Sequence, residues 1–320
     1  ALALTNPSAT VTLGKGQSDE SGSGAGLLDL SDLSSVTLGS GEAPISEVRV
    51  AYGQMSGGTL TLSNTSNLLT VATLRVGDSL RLNASSGTMI LGTGANVVAA
   101  DALVIGLYKG VGTVRFASQA AGSPGTLTLG GRTRETAEIV IGSKGAMASG
   151  AVASGTLDLR GHVANIEAGT VMIGREDNNT ASPFPGGAAG TLYFDGGSFS
   201  MTNLVMAYKS GLNTGVNAKA TATLTVSGGE VAVKQGGAFT FAATHTDRGA
   251  AFATLNLAGG TFRSYADILT GPSNCTSTIN LSGGTLDLTG RAIGLAAHTV
   301  TVFNAQSGTL MNLGEFNNGA

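Results

Sequence analysis

Residues able to do chemistry are few and scattered in this chain. Glycoside cleavage needs two carboxylates facing one sugar ring, and calcium-assisted elimination needs an acidic cluster beside a base. The closest adjacent acids are Asp19-Glu20, inside the Gly- and Ser-rich run KGQSDESGSGAG, and Glu176-Asp177, which follow Arg175. The first pair reads as a solvated loop. Arg175, Glu176 and Asp177 open the segment REDNNTASPFPGGAAG, a candidate ligand or calcium contact on a loop, where binding groups concentrate. His162, His245 and His298 lie far apart, and none has a partner at metal-ligand spacing. Cys275 is the only cysteine, so it cannot form an internal disulfide and reads as a small apolar side chain. No serine sits in a nucleophile elbow with a helix behind it. No catalytic, cofactor or metal set is assigned, and the chain reads as a non-enzyme.

Aromatic platforms are the other chemical signal. No tryptophan is present, and nine of the 15 aromatic residues fall between Tyr193 and Tyr265. Alternation turns most of these phenylalanines inward, which leaves Tyr208 and Tyr265 as the surface members able to meet a glycan. The Asn-x-Ser/Thr sequons at Asn64, Asn83, Asn178, Asn274 and Asn280 are what so Asn-, Ser- and Thr-rich a composition produces.

The groups that could act must be positioned by elements, and the composition says which. Among 320 residues there are 50 glycines, 42% hydrophobic residues and only 12% charged ones. Patterned hydrophobicity at that level argues against disorder. A net charge of −3, with 17 basic residues dispersed singly, excludes a phosphate-binding patch and hence nucleic acid. No run reaches the ~18 apolar residues of a membrane helix. The opening Ala-Leu-Ala-Leu-Thr-Asn-Pro is compatible with a secreted protein whose signal peptide has been removed.

The strongest pattern is repetition. A line of Thr, apolar, any, apolar recurs as GTLTL at 58–62, GTMIL at 87–91, GTLTL at 125–129, GTLDL at 155–159, GTLYF at 190–194, ATLTV at 222–226, ATLNL at 253–257 and STINL at 277–281. From Thr126 to Thr254 its steps are 30, 35, 32 and 31 residues. A second line interleaves with it: VRVAYG from Val48, LRVG from Leu74, LVIG from Leu103, IVIG from Ile139, VMIG from Val171 and LVMA from Leu204. A third follows double glycines, as in GGSFS at 196–200 and GGTLDL at 283–288. Three short strands in each unit of ~30 residues cannot bury an apolar face alone, but stacked units can. The expected fold is all-β: a parallel β-helix (β-solenoid) of about 10 coils, right-handed, with three strands per coil and a length near 50 Å. Thr faces outward and can ladder with its equivalents, while Leu, Val, Ile and Phe face in. Residues 1–47 are expected to form an N-terminal strand and loop segment, a cap or the first irregular coils, and 48–320 the repeat domain. Residues 15–26 read equally as an inserted loop or as a join.

With those motifs in view the chain resembles the passenger repeats of bacterial autotransporter-type surface proteins, in particular the autotransporter-associated β-strand repeat and related Gly-rich repeats. The likeness rests on the GTLxLxGG lines, on VMIGRE at 171–176 and on the closing SGTLMNLGEFNNG at 307–319. It covers most of the chain from about Val48 and is clearest after Gly155. The resemblance implies export to the cell surface and a part in adhesion, coating or fibre building. A membrane barrel, which that plan includes, is not found, because the last residues still read as repeat.

The leading expectation is therefore an extracellular structural rod that assembles end to end, as a homo-oligomer or filament. Its contacts would be Leu4, Val11 and Leu13 at one end and Leu310, Leu313 and Phe316 at the other. A carbohydrate-binding adhesin, meeting surface glycans through Tyr208, Tyr265 or the 175–190 segment, is the alternative, and a polysaccharide lyase or hydrolase the third.

Overall fold

The computed structural model describes residues 1–16, 23–80, 83–118, 123–145, 150–177, 186–210, 218–245, 249–271 and 274–317. Asp19, Glu20 and the sequon residue Asn178 lie outside them. Among the described residues all regular structure is strand, and every pairing between strands is parallel. The strands form one continuous sheet, the architecture of a β-solenoid. No helix among the described residues is long and apolar enough to cross a membrane.

Three ladders run along the sheet, and the repeated lines align in them. In the first, Leu60, Met89, Val114, Leu157, Leu192, Leu224, Leu255 and Ile279 stack in register, each at most 3% exposed. The residue before each is a threonine, from Thr59 and Thr88 through Thr113 and Thr156 to Thr278, so one apolar and one threonine file run side by side on opposite faces. The third ladder stacks the second line: Val48, Leu74, Leu103, Ile139, Val171, Leu204, Phe239, Ile268 and Ile293. Strict period-2 alternation explains both, since each strand turns alternate side chains into one shared core.

One line of the sequence reading changes place. GTLTL at 125–129 belongs to the second ladder, where Leu127 and Leu129 pair with Asn96 and Val98 on one side and with Ala164 and Ile166 on the other. The first-ladder rung at that level is Val111–Phe116, in which Gly112-Thr113-Val114 carries the motif. Two strands with the same alternation are interchangeable by pattern, so only pairing separates them. The segments before residue 48 join the same sheet: Leu2–Leu4 pairs with Val36–Leu38, Thr10–Lys15 with Ile45–Tyr52, and Gly24–Asp29 with Ser56–Thr61.

Asparagine files brace the coils, one buried and one nearer the surface. Asn67 Nδ2 donates to Asn96 Oδ1 at 2.9 Å, and Asn96 Nδ2 continues to the Thr126 carbonyl at 3.0 Å. Asn256, Asn280 and Asn304 repeat the device, at 2.8 Å per step. The sequon residue Asn280 thus has its amide nitrogen committed to a neighbouring coil.

Candidate functional site

Each third-ladder strand of the V-x-I-G line carries a residue at positive φ one or two positions before its end. The series runs Gly14, Ala51, Gly77, Gly106, Gly142, Gly174, Ala207 and Ala242, with φ between +54° and +74°. A left-handed residue breaks the alternation by one step. From Ile173, simple parity would turn Arg175 inward and Glu176 outward, yet Glu176 is fully buried and Arg175 only half-buried. The same reversal buries Lys144 and Lys209, both at 0% exposure. At Gly142 the approach of another strand leaves room for glycine alone: a Cβ there would lie 1.9 Å from the Ala189 carbonyl oxygen.

The reversal creates a buried charged file at this corner. Lys144, Glu176, Lys209 and Thr244 are in register on successive rungs. Lys209 Nζ donates to Glu176 Oε2 at 2.6 Å. Lys144 Nζ crosses the corner to the carbonyl oxygens of Gly150, at 3.0 Å, and of Ala151. Burial, reinforced by the charge of Lys109 and opposed by Glu176, pushes the Lys144 ammonium down to about 8. Two glycines make room for the lysines. A Cβ at Gly186 would lie 2.0 Å from Lys144 Nζ, and one at Gly249 2.1 Å from Lys209 Cε. A depressed lysine is often a reactive group, but this one sits under backbone and ties a strand end to the returning chain.

Arg175 and Asp177 form an ion pair on the outside of this corner, and Ser210 Oγ donates to the other Asp177 oxygen. Glu176 faces the opposite way, so the three residues do not converge on one ligand. Residues 178–185 of that segment lie outside the described ones. Among the described residues, no three His, Cys, Asp or Glu side chains gather closely enough to hold a metal ion. His162 is buried and stacked on Phe116, with ring centroids 3.7 Å apart, and burial holds its pKa below the usual histidine range.

An open concavity among the described residues lies near the other end of the third ladder. It has a volume of about 550 Å3, and its lining includes Ala238, Ala243, Tyr265, Asp267, Arg291 and His298. Its origin is a shortening of the ladder: the strand through Ala238–Thr244 is followed by one of only two residues, Ile268–Leu269. The outward positions on its floor are small, Ala238, Thr240 and Ala243, where the rung before carries Asn203, Val205 and Tyr208. Tyr265 therefore lines the groove, while Tyr208 sits on the rung below, paired with Ala243 and outside the lining. Asp267 Oδ1 accepts from the Ala292 amide at 2.8 Å, and His298 Nδ1 meets the Thr270 carbonyl at 2.8 Å. Pattern reading singled out Tyr265, gave His298 no role, and missed Asp267 and Arg291, which follow no repeat line.

Leu4, Val11 and Leu13 occupy first rungs and pack partly buried on the core. Leu310 and Leu313 are exposed at the last rungs, while Phe316 packs edge-on against Phe303 with centroids 5.5 Å apart. No family model, no curated protein and no solved structure matches the chain.

Proposed function

We propose that the chain is a non-enzymatic structural rod of the cell surface, a right-handed β-helix of about 10 coils that associates end to end. The observation carrying this reading is the difference between the last two second-ladder rungs. Leu286 is fully buried, whereas Leu310, its register partner one rung on, is 36% exposed. Leu313 shares that exposure. One more rung is what would cover Leu310, and a second copy supplies one: its first rungs present Leu4 on the second ladder and Val11 and Leu13 on the third. The dispersed charges and the self-similar apolar core suit a scaffold better than a reaction site.

The test is sedimentation velocity across a concentration series, with negative-stain electron microscopy of the same samples. The expected result is linear assemblies that lengthen with concentration and are abolished by Leu310→Asp together with Leu313→Asp. Monodisperse monomers at the highest concentration, with no filaments, would overturn it.

A further inference from the structure

We infer that the groove lined by Tyr265, Asp267, Arg291 and His298 binds a neutral hexopyranose oligosaccharide. This goes beyond the rod reading and does not rest on it. The volume, about 550 Å3, falls in the roughly 300–1,000 Å3 of small-ligand sites. The polar groups are arranged for a ligand rather than for each other. Among the described residues the Arg291 side chain has neither a hydrogen bond nor an ion pair, although Asp267 lines the same groove. Asp267 commits one oxygen to the Ala292 amide and leaves the second free to accept. His298 commits only Nδ1.

Charge decides among ligand classes. One carboxylate and one guanidinium cancel, so an anion would meet Asp267 and a cation Arg291, each at close range. A wholly apolar ligand would strip water from both charges without replacing their hydrogen bonds. A neutral polyol meets both needs, because its hydroxyls accept from Arg291 and donate to Asp267. The rest of the lining asks for an apolar face as well. Tyr265, 37% exposed, offers an amphipathic ring, while Ala238, Ala243 and Leu269 offer methyl groups. A pyranose ring carries both, with C–H bonds on its face and hydroxyls round its rim.

The experiment is isothermal titration calorimetry of the purified chain with cellotetraose, maltotetraose and galactotetraose, and with tetragalacturonate as an anionic counterpart. Saturable binding of at least one neutral tetramer is expected, weakened about tenfold or more by Tyr265→Ala and by Arg291→Ala. Both residues are exposed, so far-UV circular dichroism and the melting curve should stay as in the parent. Ala238→Trp, which fills the trough from its floor, should abolish binding, and Tyr208→Ala, outside the lining, should leave it unchanged. The inference is overturned if no neutral tetramer binds up to about 10 mM. It is equally overturned if tetragalacturonate binds more tightly than all of them, or if neither Tyr265→Ala nor Arg291→Ala weakens binding. Filament formation is read in a separate assay, so either proposal can fail alone.

Discussion

The buried pair at the loop-bearing corner makes the sharpest prediction. Glu176 and Lys209 are 2.6 Å apart with both side chains at 0% exposure. An effective dielectric near 20 gives a gross attraction of about 6 kcal/mol, most of which offsets desolvation. The intact pair is therefore worth little net, whereas a lone buried charge costs about 3–5 kcal/mol. The register adds an asymmetry. Lys144 precedes Glu176 in the file, so Lys209→Met leaves the carboxylate with a cation on its other side. Glu176→Gln instead leaves two buried ammonium groups, one on each side of the neutral rung. Glu176→Gln should cost about 3–5 kcal/mol, Lys209→Met about 1–2 kcal/mol less, and the double change to Leu less than Glu176→Gln alone. Urea unfolding followed by far-UV circular dichroism measures all three, since the chain has no tryptophan to report by fluorescence. Losses under about 1 kcal/mol for both single variants, or a double variant that equals their sum, would refute the argument.

The other predictions address the backbone and the files beside this pair. Gly142→Ala puts a Cβ 1.9 Å from a carbonyl oxygen at φ +69°, and should cost more than about 3 kcal/mol, seen as a lowered thermal midpoint. Lys144 has a folded pKa near 8 against an ordinary 10.5, and below pH 8 it is charged in both states with its burial penalty in full. Stability should rise as pH climbs from about 8 toward 10.5, and that rise should be smaller in Lys144→Met when the two are compared by urea midpoint. Asn96→Ala removes acceptors and donors serving Gly92, Asn67 and Thr126 at once, and should cost about 2–3 kcal/mol in the same assay.

The ladders were legible because period-2 alternation is written in the chain itself: Leu157 and Leu192 are inward in the sequence as they are in the sheet. Assignment to a particular ladder was not, as Thr126 shows, because it depends on pairings across 30 residues or more. The corner file was hidden for another reason. Alternation counted from Ile173 turns Glu176 outward, and only the left-handed residue at Gly174 reverses it. The signal that would have found it is the recurrent Gly or Ala after V-x-I, two residues before a charge in IGSK, IGRE and MAYK. The groove was illegible beyond Tyr265, since Arg291 and His298 reach it from segments between short strands.

A single substitution pattern links the aromatic cluster to the groove. In the earlier coils glycines of the first and third ladders face each other closely: a Cβ on Gly155 would lie 2.3 Å from the Gly142 nitrogen, and one on Gly190 2.6 Å from the Gly174 nitrogen. The register carries Gly190 on to Ala222 and Ala253, and the Gly174 position on to Ala207 and Ala242. Both files thus gain a methyl at the same point in the stack. Two backbones with methyls between them cannot approach as two glycines do, so more interior must be filled. Phe194, Phe199, Phe239, Phe241 and Phe262 fill it, each at most 3% exposed, with Phe239 packed 5.4 Å from Phe241 and 5.7 Å from Phe262. The groove opens on the outer side of that same stretch, over the strand that bears Phe239. Restoring glycine at Ala222 and Ala207 would therefore have to disturb the phenylalanine core before it reached Tyr265, which ties the shape of the surface site to the width of the core beneath it.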